Sequence, residues 1–134
     1  MRGYDPYGIN VDECVRPQGT QTCPVFDRLA GSKLAAASME LRFPLLGTQE
    51  FGLINAPAVP TEFMAFADVG AAWRSGDTPK IRWATNTAER VPVASVGIGL
   101  RILLSYIPIE VYAAKPFQRP QRDIVYGFNI IPGW

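Results

Sequence analysis

The sequence contains no histidine. That removes the Ser-His-Asp and Cys-His constellations of nucleophilic catalysis, and with them the common zinc sites. Neither sign of charge dominates: 13 basic and 12 acidic residues leave a net charge of +1, which offers a nucleic acid no electrostatic footing. Hydrophobic residues make up 48% of the chain, yet no apolar run reaches the roughly 18 residues of a membrane helix. The longest, residues 102–114, is interrupted by Ser105, Pro108 and Glu110. This argues against a helical membrane protein. Cysteine is scarce. Cys14 and Cys23 stand nine positions apart in a polar segment with Pro and Gly, which is wrong for a CxxC redox or metal motif and suits a disulfide closing a surface loop. Two unrelated free thiols are the alternative.

A disulfide implies an oxidising compartment. Residues 1–5, MRGYD, carry no apolar stretch after the basic residue, so they do not read as a signal peptide. Either the protein is cytosolic with Met1 a genuine start, or the chain is the C-terminal part of a longer one. The remainder of the sequence favours the second reading.

What is abundant is Gly and Pro, 12 of each, as expected of many turns and short strands. Residues 1–30 show no clear periodicity, which is long for a loop in a compact domain. Residues 32–43 then alternate: Ala35, Ala37, Met39, Leu41 and Phe43 share one face, and Ser38, Glu40 and Arg42 the other. Pro44 and Gly47 are expected to end this strand. Residues 63–73, FMAFADVGAAW, place Phe63, Ala65, Ala67, Val69, Ala71 and Trp73 on one face, and Asp68 in the middle of the other. After a polar loop, residues 95–104 point Val96, Ile98, Leu100, Ile102 and Leu104 one way and Ser95, Gly97, Gly99 and Arg101 the other. The GIG within this run lacks the third glycine and following helix of a dinucleotide site, so the glycines read as curvature or close packing. A fourth strand covers 108–115, with Ile109, Val111 and Ala113 against Glu110, Tyr112 and Ala114, and a fifth covers 125–134, with Tyr126, Phe128, Ile130, Pro132 and Trp134 on one face and Gly127, Asn129 and Gly133 on the other.

The expected fold is therefore all-β: about five antiparallel strands joined up and down, each with one apolar face and one small, polar or charged face. An Asp on the core face of a small soluble sheet would need a partner. In a membrane barrel the pattern is natural, because lipid meets one face and a polar lumen the other.

In order and spacing, these residues resemble the C-terminal part of the barrels of the BamA/TamA outer-membrane assembly and translocation superfamily, the bacterial surface antigen family. Arg2-Gly3-Tyr4 resembles the arginine-glycine-aromatic tip of that family's long extracellular loop, which folds back into the lumen. MELRFPL at 39–45 resembles the glutamate-containing strand after the loop, and FADVG at 66–70 the aspartate motif of the next. SVGIGLR, the Lys115-Pro116 strand end and the aromatic terminal strand agree. The resemblance implies a lumen-folding loop over residues 1–31 and the last strands of the barrel over 32–134. It implies a lock of Arg2, Gly3 and Tyr4 on Glu40, Asp68 and Gly70, and a lateral seam along Tyr126, Phe128, Ile130, Pro132, Gly133 and Trp134. The Cys14–Cys23 pair falls in the loop where some relatives carry a disulfide. Two departures stand out: the family barrels have sixteen strands, and no periplasmic POTRA repeats are present here.

The implied protein is integral to the outer membrane and inserts or translocates other proteins without catalysis, metal or cofactor. Its partners would be outer-membrane lipid, client outer-membrane proteins and periplasmic accessory factors bound through upstream domains. The alternatives are a passive pore or structural barrel, a small soluble ligand-binding β-barrel, and an enzyme using Glu40 and Asp68 as a carboxylate pair. In the lock, a wet lumen would screen the charges and hold the cost of losing Arg2 to about 1–2 kcal/mol.

Closing so short a loop with the Cys14–Cys23 disulfide should stabilise by at most about 3 kcal/mol. Mass spectrometry of protein from native outer membranes should find the bonded pair; two free thiols would refute it.

Overall fold

A computed structural model describes residues 1–4, 29–48, 50–78, 80–84, 90–104, 107–119 and 123–130. Cys14, Cys23, Pro132, Gly133 and Trp134 lie outside these, and so does most of the expected loop. Among the described residues there are six strands: β1 (Lys33–Gly47), β2 (Ile54–Asn55), β3 (Thr61–Trp73), β4 (Val93–Leu104), β5 (Ile107–Pro116) and β6 (Val125–Ile130). There is no helix among the described residues. The sheet order is β2-β1-β3-β4-β5-β6, curled into half a barrel. The long strands pair antiparallel with their sequence neighbours, as alternation and short connections require.

Two details differ from the sequence expectation. Pro44 does not end β1, which runs on to Gly47. The register shifts between Pro44 and Leu46, so the proline sits beside a bulge where a missing N–H costs little. The turn region also holds β2, which pairs parallel to the end of β1 through Leu46 with Ile54 and Gly47 with Asn55.

Register fixes the faces. Leu41 pairs with Ala65, Ala65 with Ile98 and Ile98 with Ala113, all on the outer face. On the inner face Ser38 pairs with Asp68 and Asp68 with Ser95, while Arg101 pairs with Glu110 and Glu110 with Asn129. Burial runs opposite to that of a water-soluble sheet. Leu41, Ile98 and Phe128 are 62%, 54% and 63% exposed, whereas Asp68 and Glu110 are 6% and 3% exposed. Apolar outside and charged inside is the arrangement of a lipid-facing barrel wall.

The inner face packs by setting large side chains over glycines. Met64, Phe66, Tyr112 and Ala114 form the buried cluster. Phe66 and Tyr112 meet edge to face with centroids 6.0 Å apart, the geometry aromatic quadrupoles favour. Gly97 lies opposite Phe66 and Gly127 opposite Tyr112. A Cβ on Gly97 would strike the Phe66 ring and the Ala113 carbonyl, and one on Gly127 would strike the Tyr112 ring. These glycines are present for close approach.

Overpacking of this kind costs about 1–3 kcal/mol. Gly127→Ala should therefore lower the heat resistance of the folded barrel on a gel, and should do so much less in a Tyr112→Ala background. Equal losses in both backgrounds would show that the ring is not what the glycine accommodates.

Candidate lumen site

The site begins with a turn. Gly3 has φ of +83°, a left-handed conformation that a side chain would resist, and the Tyr4 N–H returns to the Met1 carbonyl at 3.3 Å. This bend points Arg2 into the inner wall and Tyr4 along it. Three strands supply what Arg2 meets, because inward positions on antiparallel neighbours fall side by side.

Arg2 Nε donates to Asp68 Oδ2 at 3.2 Å, Nη2 donates to Oδ1 at 3.3 Å, and its backbone N–H also reaches Oδ2 at 3.2 Å. Nη2 further donates to Glu40 Oε1 and to Ser38 Oγ. Nη1 faces Glu110 Oε1 at 3.6 Å. The guanidinium carbon lies 3.9 Å from the centre of the Phe66 ring, within cation–π range. One planar cation thus spans β1, β3 and β5. Burial works against its charge, but the bond to Glu40 and the attraction of Asp68 outweigh it and hold the Arg2 pKa above its already high ordinary value.

Neighbouring groups complete the charge balance. Ser38 Oγ donates to Asp68 Oδ1 at 2.5 Å. Arg42 grips the second oxygen of Glu40, with Nη2 at 2.6 Å, and Arg101 Nη2 donates to Glu110 Oε2 at 3.1 Å. Three arginines therefore meet three carboxylates.

The rest of the tip is held through its backbone and the Tyr4 hydroxyl. Ser95 Oγ donates to the Arg2 carbonyl at 2.7 Å, and Arg119 Nη1 to the Gly3 carbonyl at 2.8 Å. Tyr4 OH donates to Gln118 Oε1 at 2.8 Å and accepts the Gln118 N–H at 2.9 Å. Gln118 Oε1 also takes the Ala94 N–H at 2.8 Å. Gly70 leaves room for Met1, whose sulfur would stand 3.0 Å from a Cβ there.

The structure so brings together Arg2, Gly3, Tyr4, Glu40, Asp68 and Gly70. Tyr126, Phe128 and Ile130 lie elsewhere, on the outer face of β6, the last described strand. Sequence reasoning did not assign Ser38, Phe66, Ser95, Glu110, Gln118 and Arg119 to the site. Alternation already placed Ser38, Phe66, Ser95 and Glu110 on the inner face. Nothing in the sequence marked Gln118 or Arg119, which lie in a connection.

Burial also changes the expected energy. The Arg2 side chain is 11% exposed and that of Glu110 4%, so the wall here screens less than a wet lumen. Losing Arg2 would strand buried carboxylates and should cost about 3 kcal/mol or more. In the intact protein, Arg2→Ala and Asp68→Ala should each lower the heat resistance of the folded barrel, and the double variant should lose little beyond the larger single loss. Additive losses would mean that the two residues act independently.

Neither a curated protein nor a solved structure matches the chain. A protein family does: the Omp85 superfamily domain matches residues 1–133. Its proteins are outer-membrane β-barrels that, as a family, insert or translocate proteins at that membrane. The inverted faces and the half-barrel of strands agree with that match, and the chain belongs to the Omp85 superfamily.

Proposed function

We propose that this chain is the loop-tip and last-strand segment of a BamA/TamA-type barrel, integral to the outer membrane, that assembles or translocates client outer-membrane proteins. The tip holds the lumen wall in one conformation, and the terminal strand forms one side of a seam that opens laterally to client strands. Periplasmic accessory factors would engage the intact protein through upstream domains.

The observation that carries this reading is the Arg2 guanidinium shared by strands β1, β3 and β5. A passive pore gains nothing from a tip docked across its own wall, since it obstructs the lumen. A barrel that must open and reclose does gain, because the tip fixes the wall while the edge is strained. The enzyme alternative loses its reactive groups: Glu40 and Asp68 both bind Arg2, and Glu40 is held by Arg42 as well. The system acts by shape and strand exchange, not by chemistry.

The test uses the intact protein in vesicles of outer-membrane lipid, with an unfolded outer-membrane β-barrel protein as client. Wild type should accelerate client folding, and Arg2→Ala should remove most of that acceleration while the barrel remains inserted. Ion conduction without any acceleration of client folding would establish the passive pore instead.

A further inference from the structure

The outer face is not uniform along its length. Further down β1 it carries the large, exposed side chains of Met39, Leu41 and Phe43. Nearer the end at which the tip enters it carries Ala35 and Ala37, which pair with Ala71 and Val69 of β3. Side chains this small leave the wall recessed. The segment after β3 lies against the recess: Ile81 and Pro92, with Ala35, Ala37, Ala71 and Trp73, line a groove of about 340 Å³, within the range of small-ligand sites. Trp83 ties that segment to the end of β5, with its ring centroid 5.6 Å from that of Phe117. Ile81 is 91% exposed and Trp83 59%. Such exposure is unfavourable in water and natural in the interfacial zone of a bilayer, where the aromatic girdles of barrels lie.

The same end carries cations. Lys33 continues the row of Ala37 and Ala35 and stands across from Trp73. Arg74 follows Trp73, Arg82 follows Ile81, Lys115 lies on the outer face of β5, and all four are exposed. Asp77 and Asp123 are the exposed carboxylates of this end among the described residues. At the opposite end of the wall, residues 44–62 and 102–109 contain no Lys or Arg and include Glu50 and Glu62. A basic rim at one end of an apolar wall complements a leaflet of negative headgroups. The likeness of residues 1–31 to an extracellular loop puts that end on the outside.

We propose that this groove is a binding site for a phosphate-bearing lipid of the outward leaflet: one acyl chain lies on Ala35, Ala37 and Ala71 beside Ile81, and the headgroup phosphate meets Lys33 and Arg82. Lipid tails are as apolar as the wall, so the groove contributes close packing and the cations contribute the choice of headgroup. Arg82 suits the second task, because its planar fork can take two phosphate oxygens at once. The site lies on the opposite face of the sheet from the Arg2 cluster. It requires a barrel in a membrane and nothing of the assembly reading.

The experiment is native mass spectrometry of the intact protein in detergent micelles supplied with diphosphoryl lipid A, with folding verified by the heat-shifted band on a gel. Wild type should retain the lipid, and should retain far less of the same lipid stripped of its phosphates, or of phosphatidylcholine. Lys33→Gln with Arg82→Gln should weaken retention on the order of tenfold, the scale of two basic residues at an anionic headgroup. Ala35→Leu with Ala71→Leu fills the groove with side chains suited to a lipid-facing wall, and should displace the lipid with every cation still in place. Undiminished retention by the charge variant overturns the phosphate contact, and undiminished retention by the groove variant overturns the seat of the chain. Equal retention of the phosphate-free lipid, or no retained lipid on wild type, overturns the proposal outright. So does a second copy of the protein bound in place of lipid, which would make the groove an interface between barrels. Client folding plays no part in these readouts, so the assembly reading stands or falls separately.

Discussion

A guanidinium placed among buried carboxylates is a constraint before it is a source of stability. Asp68 and Glu110 are taken almost wholly out of water, and each would be costly to bury alone. Their burial is tolerable because Arg2 brings a delocalised, permanently charged plane with donors on three nitrogens. A lysine could satisfy the charge, but a single ammonium cannot fork across Asp68 and still reach Glu40 and Glu110. Replacing such a network with apolar side chains can leave a protein no less stable. The argument for the cluster is therefore one of dependence: without the tip, the wall holds carboxylates it cannot satisfy from within. That dependence is what makes a loop tip able to govern a sheet.

The packing around the cluster follows the same economy of space. The inner face must accept a whole turn of chain, so it combines bulky Met64, Phe66 and Tyr112 with glycines at 97, 99 and 127 on the facing strands. Phe66 serves two purposes. Its ring stands nearly perpendicular to that of Tyr112, and its face receives the Arg2 cation. A Cβ at position 97 would collide with the Phe66 ring, and a displaced ring would cost the guanidinium one wall of its site. Position in the register, more than residue type, turns an ordinary strand phenylalanine into part of an ion-binding surface.

Alternation made the fold legible because its period is short and its penalty for error is large: a slip of one residue would carry Asp68 into lipid. Hence the five main strands, their order and their faces are legible in the residues alone, and the family resemblance adds the pairing of Arg2 with Glu40 and Asp68. The end of β1 could not. Proline at 44 argues for a stop, and only the bulge beside it shows how the ladder passes through. Glu110 was assigned to the right face but not to the site, since reach across three strands depends on sheet curvature and rotamer, which periodicity does not encode. Gln118 and Arg119 were invisible for another reason. Gln118 meets the Tyr4 hydroxyl and Arg119 the Gly3 carbonyl from the connection after β5, where no period exists to place them.

Gly3 joins these levels. Its left-handed backbone turns the chain so that residues on either side of it serve different elements: Arg2 runs to Asp68, Glu40 and Glu110, while Tyr4 runs to Gln118 beyond β5. The Gly3 carbonyl itself is held by Arg119. The tip consequently touches β1, β3, β4 and β5 within a few residues of chain, through side chain, backbone and ring together. Contacts so distributed cannot be released one at a time. To withdraw Arg2 is to uncover Ser95, Gln118 and Arg119 at the same moment, so the tip is either docked or not. An all-or-none tip on such a wall is a two-state element. Its energy gap is set by how well the leaving groups are rehydrated, because the contacts it forms are nearly all polar.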